Sequence, residues 1–194
     1  GEAFNKKASI AIVNKIDKNN NIKRQIKVRD SLKFLTKSSK IYRQNINTKI
    51  IAITGSCGKT TLKELLGNSL KKMSKVSVSP KSYNNKYGVP LSLFNLCQKD
   101  DYGVLEIGMD KKGEIDYLSK IVQPDVSVIT NINYAHAKNF KNLKQIALAK
   151  SEIINNTKDN GFIILNADDN FFALHKKLAI KKNLKILSFG IKSK

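Results

Sequence analysis

The alternation of short apolar runs with amphipathic segments becomes regular from about residue 50. The apolar runs show little polar alternation, which predicts strands that are buried on both faces. The predicted strands are Ile50–Thr54, Val76–Ser79, Val104–Ile107, Val126–Thr130, Phe162–Asn166 and Lys185–Ser188. Apolar residues at helical spacing predict helices at Thr60–Lys72, Val89–Cys97, Glu114–Val122 and Leu143–Ile154. This order predicts an α/β fold with a mostly parallel sheet flanked by helices.

The first 47 residues carry a weaker pattern and predict part of a smaller α/β unit. Ala8–Val13 predicts a strand and Lys18–Asn21 a turn. Ser31–Tyr42 predicts a helix, for which Asp30 is a suitable N-cap. A chain of 194 residues has room for one full α/β domain and a piece of another, so we place the boundary between residues 47 and 48.

The composition excludes some classes of protein. No apolar run approaches the roughly 18 residues of a membrane span, and the two cysteines give neither a disulfide framework nor a metal-binding spacing. We therefore expect a cytoplasmic protein, and a monomer. The net charge of +21 suggests a nucleic-acid binder. Because nearly all the basic residues are scattered lysines rather than arginines, we expect a solvated surface and no nucleic-acid partner.

The strongest local signal is the segment Ile50–Thr61, in which a strand, a glycine-containing turn and a helix follow one another. Glycines let the backbone turn tightly and bring N–H groups close to an anion, and a helix N-terminus favours phosphate. The residues predicted to bind a nucleotide are Gly55, Ser56, Cys57, Gly58, Lys59, Thr60 and Thr61. Lys59 is placed to reach the terminal phosphates, and the Thr60 hydroxyl to bind magnesium.

This loop departs from the common G-x-x-x-x-G-K-[ST] pattern, because Ile53 stands where the first glycine is usual. The agreement of the strand, both glycines, the lysine and the threonines still favours a phosphate loop over an ordinary turn. Cys57 is interpreted as a small neutral residue that makes the loop sensitive to thiol reagents.

Other candidate residues follow the predicted strands, where ligands of parallel sheets bind. Glu106 ends one strand and offers hard oxygen ligands to magnesium. His136 follows the next strand, and a metal or phosphate role is favoured over a structural one. Asn84 and Asn85 precede a predicted helix, which they are suited to cap, or they hold a ligand. Lys150 lies within a predicted apolar helix, and the residues alone leave open whether its charge merely reaches solvent.

These segments together resemble the Mur ligase superfamily over about residues 48–190, and its D-alanyl-D-alanine-adding (MurF) branch in particular. The shortened loop T-G-x-x-G-K-T-T is similar to the nucleotide loop of that superfamily. The branch motifs E-x-G-x-x-x-x-G-E-I, N-N-x-x-G-V-P, T-N-I-x-x-A-H, A-K-x-E-I and L-N-A-D-D are matched at residues 106–115, 84–90, 130–136, 149–153 and 165–169. The resemblance implies a P-loop NTPase-like central domain preceded by part of a UDP-substrate domain.

The resemblance implies roles for individual residues. Lys59, His136 and Lys150 would be catalytic, with Lys59 stabilising the transferring phosphoryl group. Thr60 and Glu106 would bind a first magnesium ion, and His136 a second one, together with Lys150 if that lysine is carbamylated. Asn84 and Asn85 would lie on the substrate side of the site.

The reaction implied is ATP- and Mg²⁺-dependent joining of D-Ala-D-Ala to a UDP-MurNAc tripeptide through an acyl phosphate. The family's C-terminal ligase domain is absent from these 194 residues. We therefore expect this chain alone to bind nucleotide weakly and not to ligate.

Two alternatives stay open at this point. N-K-I-D at residues 14–17 and D-K-K-G at 110–113 fit GTPase motifs, in the order of a circularly permuted GTPase. A different Mur ligase, with another amino acid as acceptor, is the second alternative.

Overall fold

A computed structural model of the chain describes residues 2–134 and 139–191. Its strands are β1 (Ala11–Val13), β2 (Gln25–Lys27), β3 (Lys49–Thr54), β4 (Val76–Val78), β5 (Tyr102–Glu106), β6 (Val126–Ile129), β7 (Phe162–Asn166) and β8 (Lys185–Phe189). Its α-helices are α1 (Glu2–Asn5), α2 (Ser31–Gln44), α3 (Lys59–Leu70), α4 (Gly88–Phe94), α5 (Glu114–Val122), α6 (Leu143–Asn156) and α7 (Phe172–Lys181). A short 3-10 helix at Ile22–Arg24 precedes β2.

Six strands of the described residues form one parallel sheet in the order β4-β5-β3-β6-β7-β8. The six strands predicted from residue 50 onward are therefore confirmed, with ends that differ by at most two residues. In the N-terminal unit, β1 and β2 form a separate two-stranded parallel sheet. Since β3 lies between β5 and β6, the carboxyl ends of these three strands meet at one edge of the larger sheet, where ligands of parallel sheets bind.

Strand β3 has five consecutive buried residues because both faces of the sheet are covered. Ile50 and Ala52 pack into a core formed mainly with α4, α5 and α6. Ile51 and Ile53 face the opposite side, where partly buried leucines of α3 cover the sheet. This double burial fixes β3 inside the fold, so the loop that follows it is anchored to a buried central strand.

The predicted helices are present, and two α-helices of the described residues, α1 and α7, were not predicted. Helix α2 begins where expected, since the Asp30 carboxylate accepts hydrogen bonds from the amides of Leu32 and Lys33. Helix α4 ends three residues earlier than the predicted Cys97. Helix α7 has no side-chain cap and so gave no start signal. In the described part of the chain, no helix is long and apolar enough to cross a bilayer.

Helix α2 packs against α4 and α5, although it lies on the N-terminal side of the predicted domain boundary. The buried Arg43 guanidinium donates to four main-chain carbonyls, those of Val122, Ile46, Thr48 and Gln123. It also pairs with Asp125 at 3.0 Å. Because a buried cation that loses such partners is strongly unfavourable, this network fixes α2 against the large sheet. The boundary at 47/48 remains a prediction.

Candidate nucleotide site

The turn after β3 requires glycine at two positions. Gly55 has φ +149°, and a Cβ there would lie 1.8 Å from the Thr130 hydroxyl oxygen. Gly58 has φ +79° and stands at the N-cap of α3. A side chain at Gly55 would thus collide with the neighbouring β6 loop, and one at Gly58 would strain the backbone. The sharp turn directs the N-terminus of α3, with its unpaired N–H groups, towards the carboxyl edge of the sheet.

Two lysines converge on a single carbonyl oxygen in this turn. The ammonium groups of Lys59 and Lys150 each donate to the Gly55 oxygen at 2.9 Å. Lys150 lies on α6 and is only 2% exposed. Its burial, and secondly the charge of Lys59, lower the pKa of Lys150 to about 7. Two cations this close in a poorly solvated place favour the binding of an anion beside them.

Thr60 and Glu106 form the acidic part of the site. The Thr60 hydroxyl donates to one Glu106 oxygen at 2.7 Å, and the Asn84 amide donates to the other, also at 2.7 Å. Glu106 is 1% exposed, so its carboxylate is held rigidly at the end of β5. A hydroxyl oxygen beside a carboxylate oxygen is a suitable pair of ligands for a hard divalent cation. Among the described residues, no cluster of three His, Cys, Asp or Glu side chains completes a metal site without further ligands.

A cavity of about 620 Å³ opens beside these groups. Lys59 and Lys150 line it, together with Asn84 and Asn85, and Leu32 of α2 reaches it from the smaller unit. The Asn85 side-chain oxygen caps the start of α4 by accepting from the amides of Tyr87 and Gly88. The sequence predicted that Asn84 and Asn85 either cap a helix or hold a ligand. The structure shows helix capping at Asn85. Their substrate-side role stays a prediction.

The remaining predicted nucleotide-binding residues lie in the loop or at the first turn of α3. Ser56 is buried, whereas Cys57 and Thr61 are exposed. The main-chain N–H groups of Ser56 and Cys57 are already bonded to Asn131. His136 lies outside the described residues, so its metal role stays a prediction.

Two residues that support the site, Glu152 and Lys63, were given no role in the sequence analysis. The Glu152 carboxylate accepts from the amides of Gly113 and Asp116, so it caps α5 from the neighbouring helix α6. Lys63 is 0% exposed and donates to the carbonyls of Ser79 and Lys81, which start the connection to Asn84. Both contacts join distant segments, and local sequence patterns carry no signal for them.

Comparison with known proteins decides the family. The family model described as the Mur ligase middle domain matches residues 53–194. The chain belongs to the Mur ligase family. The same assignment and the parallel sheet bear out the resemblance seen in the motifs.

Individual Mur ligases extend the similarity over the whole chain. The UDP-N-acetylmuramoyl-tripeptide–D-alanyl-D-alanine ligase of Rickettsia prowazekii is 38% identical over 196 residues, which are 100% of this chain and 43% of that protein. The ligase of the same name from Buchnera aphidicola of Acyrthosiphon pisum is 45% identical over 152 residues, covering 78% of this chain and 33% of its own. The chain therefore spans less than half the length of these curated relatives.

A solved structure shows the same relation. MurF ligase from Thermotoga maritima, crystallised in complex with ADP, superposes with a TM-score of 0.83 at 33% identity. The match covers 99% of this chain and 44% of that one.

The family assignment overturns the GTPase alternative. The two ends of the N-K-I-D segment also have local structural uses. Asn14 accepts a hydrogen bond from the Ser31 amide at the start of α2, and Asp17 accepts from the Asn19 amide and the Asn20 side chain.

Replacement of Lys150 by methionine tests the electrostatic description of the site. The folded pKa of Lys150 lies below its ordinary value of 10.5, so between about pH 7 and that value the unfolded chain holds more protons. Lys150 therefore lowers the free energy of unfolding most below pH 7. This destabilisation becomes smaller as the pH rises towards 10.5. We expect Lys150→Met to stabilise the chain near pH 7 by about 1–4 kcal/mol, and by less at pH 10.

The measurement is urea unfolding across this pH range in buffer free of carbon dioxide. Lys144→Met, on the exposed side of the same helix, serves as control and should change stability little at any pH. Loss of stability in Lys150→Met at pH 7 would contradict the proposed cost of the buried cation.

Proposed function

We propose that this chain is the nucleotide-binding part of an ATP-dependent ligase that joins D-alanyl-D-alanine to a UDP-N-acetylmuramoyl tripeptide. The observation that carries the proposal is the meeting of Lys59, Thr60 and Glu106 beside a large cavity at the carboxyl edge of the sheet. The names of the relatives supply the substrates. The bound ADP in the Thermotoga maritima structure supports a nucleotide as ligand of the loop.

Residues of the chain are arranged for phosphoryl transfer from ATP. The N–H groups at the start of α3 suit the phosphates, and Lys59 suits the charge that develops on the transferred group. The tripeptide carboxylate attacks the terminal phosphoryl group to form an acyl phosphate and ADP. The amine of the dipeptide then displaces phosphate to give the amide. Two anions meet in the first step, so the positive charge of Lys59 lowers the repulsion between them.

A magnesium ion fits the oxygen pair of Thr60 and Glu106. Glu106 is buried and fixed, and the Thr60 hydroxyl lies 2.7 Å from it. Mg²⁺ is commonly held by one or two protein oxygens and completed by substrate phosphates, which agrees with this short ligand set. When bound, it neutralises charge on the phosphates.

We place the cavity on the path of the peptide substrate. It is lined by the two lysines, by Asn84 and Asn85, and by Leu32 of α2 in the smaller unit. Under the proposed domain division, residues 1–47 belong to the UDP-substrate domain, and residues 48–194 to the nucleotide domain. A cavity shared by both units suits a substrate that bridges them.

Nucleotide binding by the 194-residue chain is the first test of this function. We expect a non-hydrolysable ATP analogue to bind in preference to the GTP analogue, and only with magnesium. Lys59→Ala removes a charge-assisted contact and should weaken binding by about tenfold or more. Isothermal calorimetry measures all three effects. Lys72→Ala, an exposed lysine after α3, is the control and should bind as the wild type does.

A preference for the GTP analogue would contradict the proposal, and so would equal binding by the Lys59→Ala and Lys72→Ala variants. Competing hydrogen bonds at Ser56 and Cys57 leave fewer loop N–H groups for phosphate than the loop offers in principle. We therefore expect modest affinity in this chain alone.

Carbamylation of Lys150 is a second expected property of the site. A pKa of about 7 leaves much of the amine uncharged at neutral pH. The neutral amine adds to carbon dioxide to form an N–C bond, and one proton leaves, which converts the cation into an anionic oxygen ligand. With ¹³C-bicarbonate at pH 8, NMR should show a carbamate carbon in the wild type and in Lys144→Met. The same signal in Lys150→Met, or none in the wild type, would contradict this assignment.

A further inference from the structure

The loop after β6, residues 130–133, is hydrogen-bonded to the tip of the phosphate loop, Ser56 and Cys57, mainly through Asn131. The Asn131 side-chain oxygen accepts from the Cys57 amide at 3.0 Å, and its side-chain nitrogen donates to the Cys57 carbonyl at 3.3 Å. The Asn131 main-chain oxygen accepts from the Ser56 amide at 2.9 Å. One residue therefore bonds three main-chain groups of Ser56 and Cys57.

Two further contacts make this attachment tight. The Thr130 hydroxyl donates to the Cys57 carbonyl at 2.7 Å. The Ser56 hydroxyl exchanges hydrogen bonds of 2.9 Å with both main-chain groups of Asn133. The tip of the phosphate loop is thus held mainly by three residues of another loop, Thr130, Asn131 and Asn133.

This attachment decides which groups are free for phosphate. An N–H group donates one strong hydrogen bond, and those of Ser56 and Cys57 are committed to Asn131. Phosphate contacts are left to the groups from Gly58 onward, at the N-terminus of α3. Their position depends on the tip that precedes them, because Gly58 has no side chain to anchor it.

The loop of residues 130–133 is in turn held by hydrogen bonds from Asn166 and Asp169, which lie at and just after the end of β7. The Asp169 carboxylate accepts from the Ile132 amide at 2.7 Å with one oxygen, and from the Phe171 amide at 2.8 Å with the other. The Asn166 side chain donates to the Thr130 carbonyl at 3.2 Å. Asp169 therefore holds the residue that follows Asn131, and hydrogen bonds to a charged acceptor are the stronger kind.

We propose that Asn131 is a positioning residue for the nucleotide phosphates, and that Asp169 acts on the phosphate loop through Asn131. The proposal rests on the proposed nucleotide-binding function and assigns a purpose to the L-N-A-D-D segment, which otherwise has none in the reaction. Neither side chain needs to touch the nucleotide. They act by holding Ser56 and Cys57, which sets the start of α3 against the ligand.

The experiment compares Asn131→Ala, Asp169→Asn and the double variant with the wild-type chain. Asp169→Asn replaces one acceptor oxygen by a donor, so one of the amides of Ile132 and Phe171 loses its partner. Asp168→Asn is the matched control, because the neighbouring Asp168 accepts from the Ile191 amide, away from the phosphate loop. Thermal unfolding of each variant shows that it is folded.

Two measurements separate the positioning role from nucleotide binding itself. Amide hydrogen exchange at Ser56 and Cys57, measured without nucleotide, reports whether the loop tip is held. Calorimetry with the magnesium complex of a non-hydrolysable ATP analogue reports affinity. We expect faster exchange in Asn131→Ala and in Asp169→Asn, and affinity weakened by about fivefold to tenfold. The double variant should be little worse than Asn131→Ala, because Asp169 acts through that residue.

Each contrary outcome has a definite meaning. If the wild type binds the analogue and both single variants bind it equally well, the positioning role is wrong and the nucleotide site stands. If exchange changes as expected but the wild type binds no analogue, the proposed function fails, and the phosphate role of Asn131 fails with it. Additive losses in the double variant would overturn the action of Asp169 through Asn131. Weakened binding in Asp168→Asn would show that the effect is not specific.

Discussion

The shared hydrogen bond of two lysines to the Gly55 carbonyl is the interaction on which the site depends. Lys59 reaches it from the start of α3, and Lys150 from the middle of α6 on another part of the fold. Burial makes this concentration of positive charge costly, as the lowered pKa of Lys150 indicates. A bound anion offsets this cost. Binding of phosphate beside the two lysines should therefore stabilise the folded chain.

The parallel sheet makes this convergence possible. Because β5, β3 and β6 are adjacent and parallel, Glu106, the phosphate loop and the Thr130–Asn133 loop all leave the same edge. Each group is then fixed by a neighbour from another strand: Asn84 holds Glu106, and Asn131 holds Cys57. Helix α6 contributes twice, with Lys150 in the site and Glu152 at the start of α5. The hydrogen bonds that hold the site together therefore come from several strands and helices rather than from one loop.

Much of this was predictable from sequence. The strands from residue 50 onward and the phosphate loop were predicted because apolar runs and glycine positions are local signals. Helix α7 was missed because Phe171 at its N-cap provides no capping side chain. The contacts of Asn131, Glu152 and Asp169 were not predictable, since each joins segments that only the folded sheet brings together. His136 lies outside the described residues, so its place beside the site remains a prediction.

The most direct test of the account is a crystal structure of the chain with Mn²⁺ and a non-hydrolysable ATP analogue. Mn²⁺ takes the same oxygen ligands as Mg²⁺ and is located by its anomalous scattering. The account predicts a manganese peak about 2.0–2.6 Å from the Thr60 hydroxyl oxygen and beside the Glu106 carboxylate, with the terminal phosphate near Lys59. A metal peak elsewhere, with the Thr60–Glu106 hydrogen bond intact and the phosphates away from α3, would contradict it.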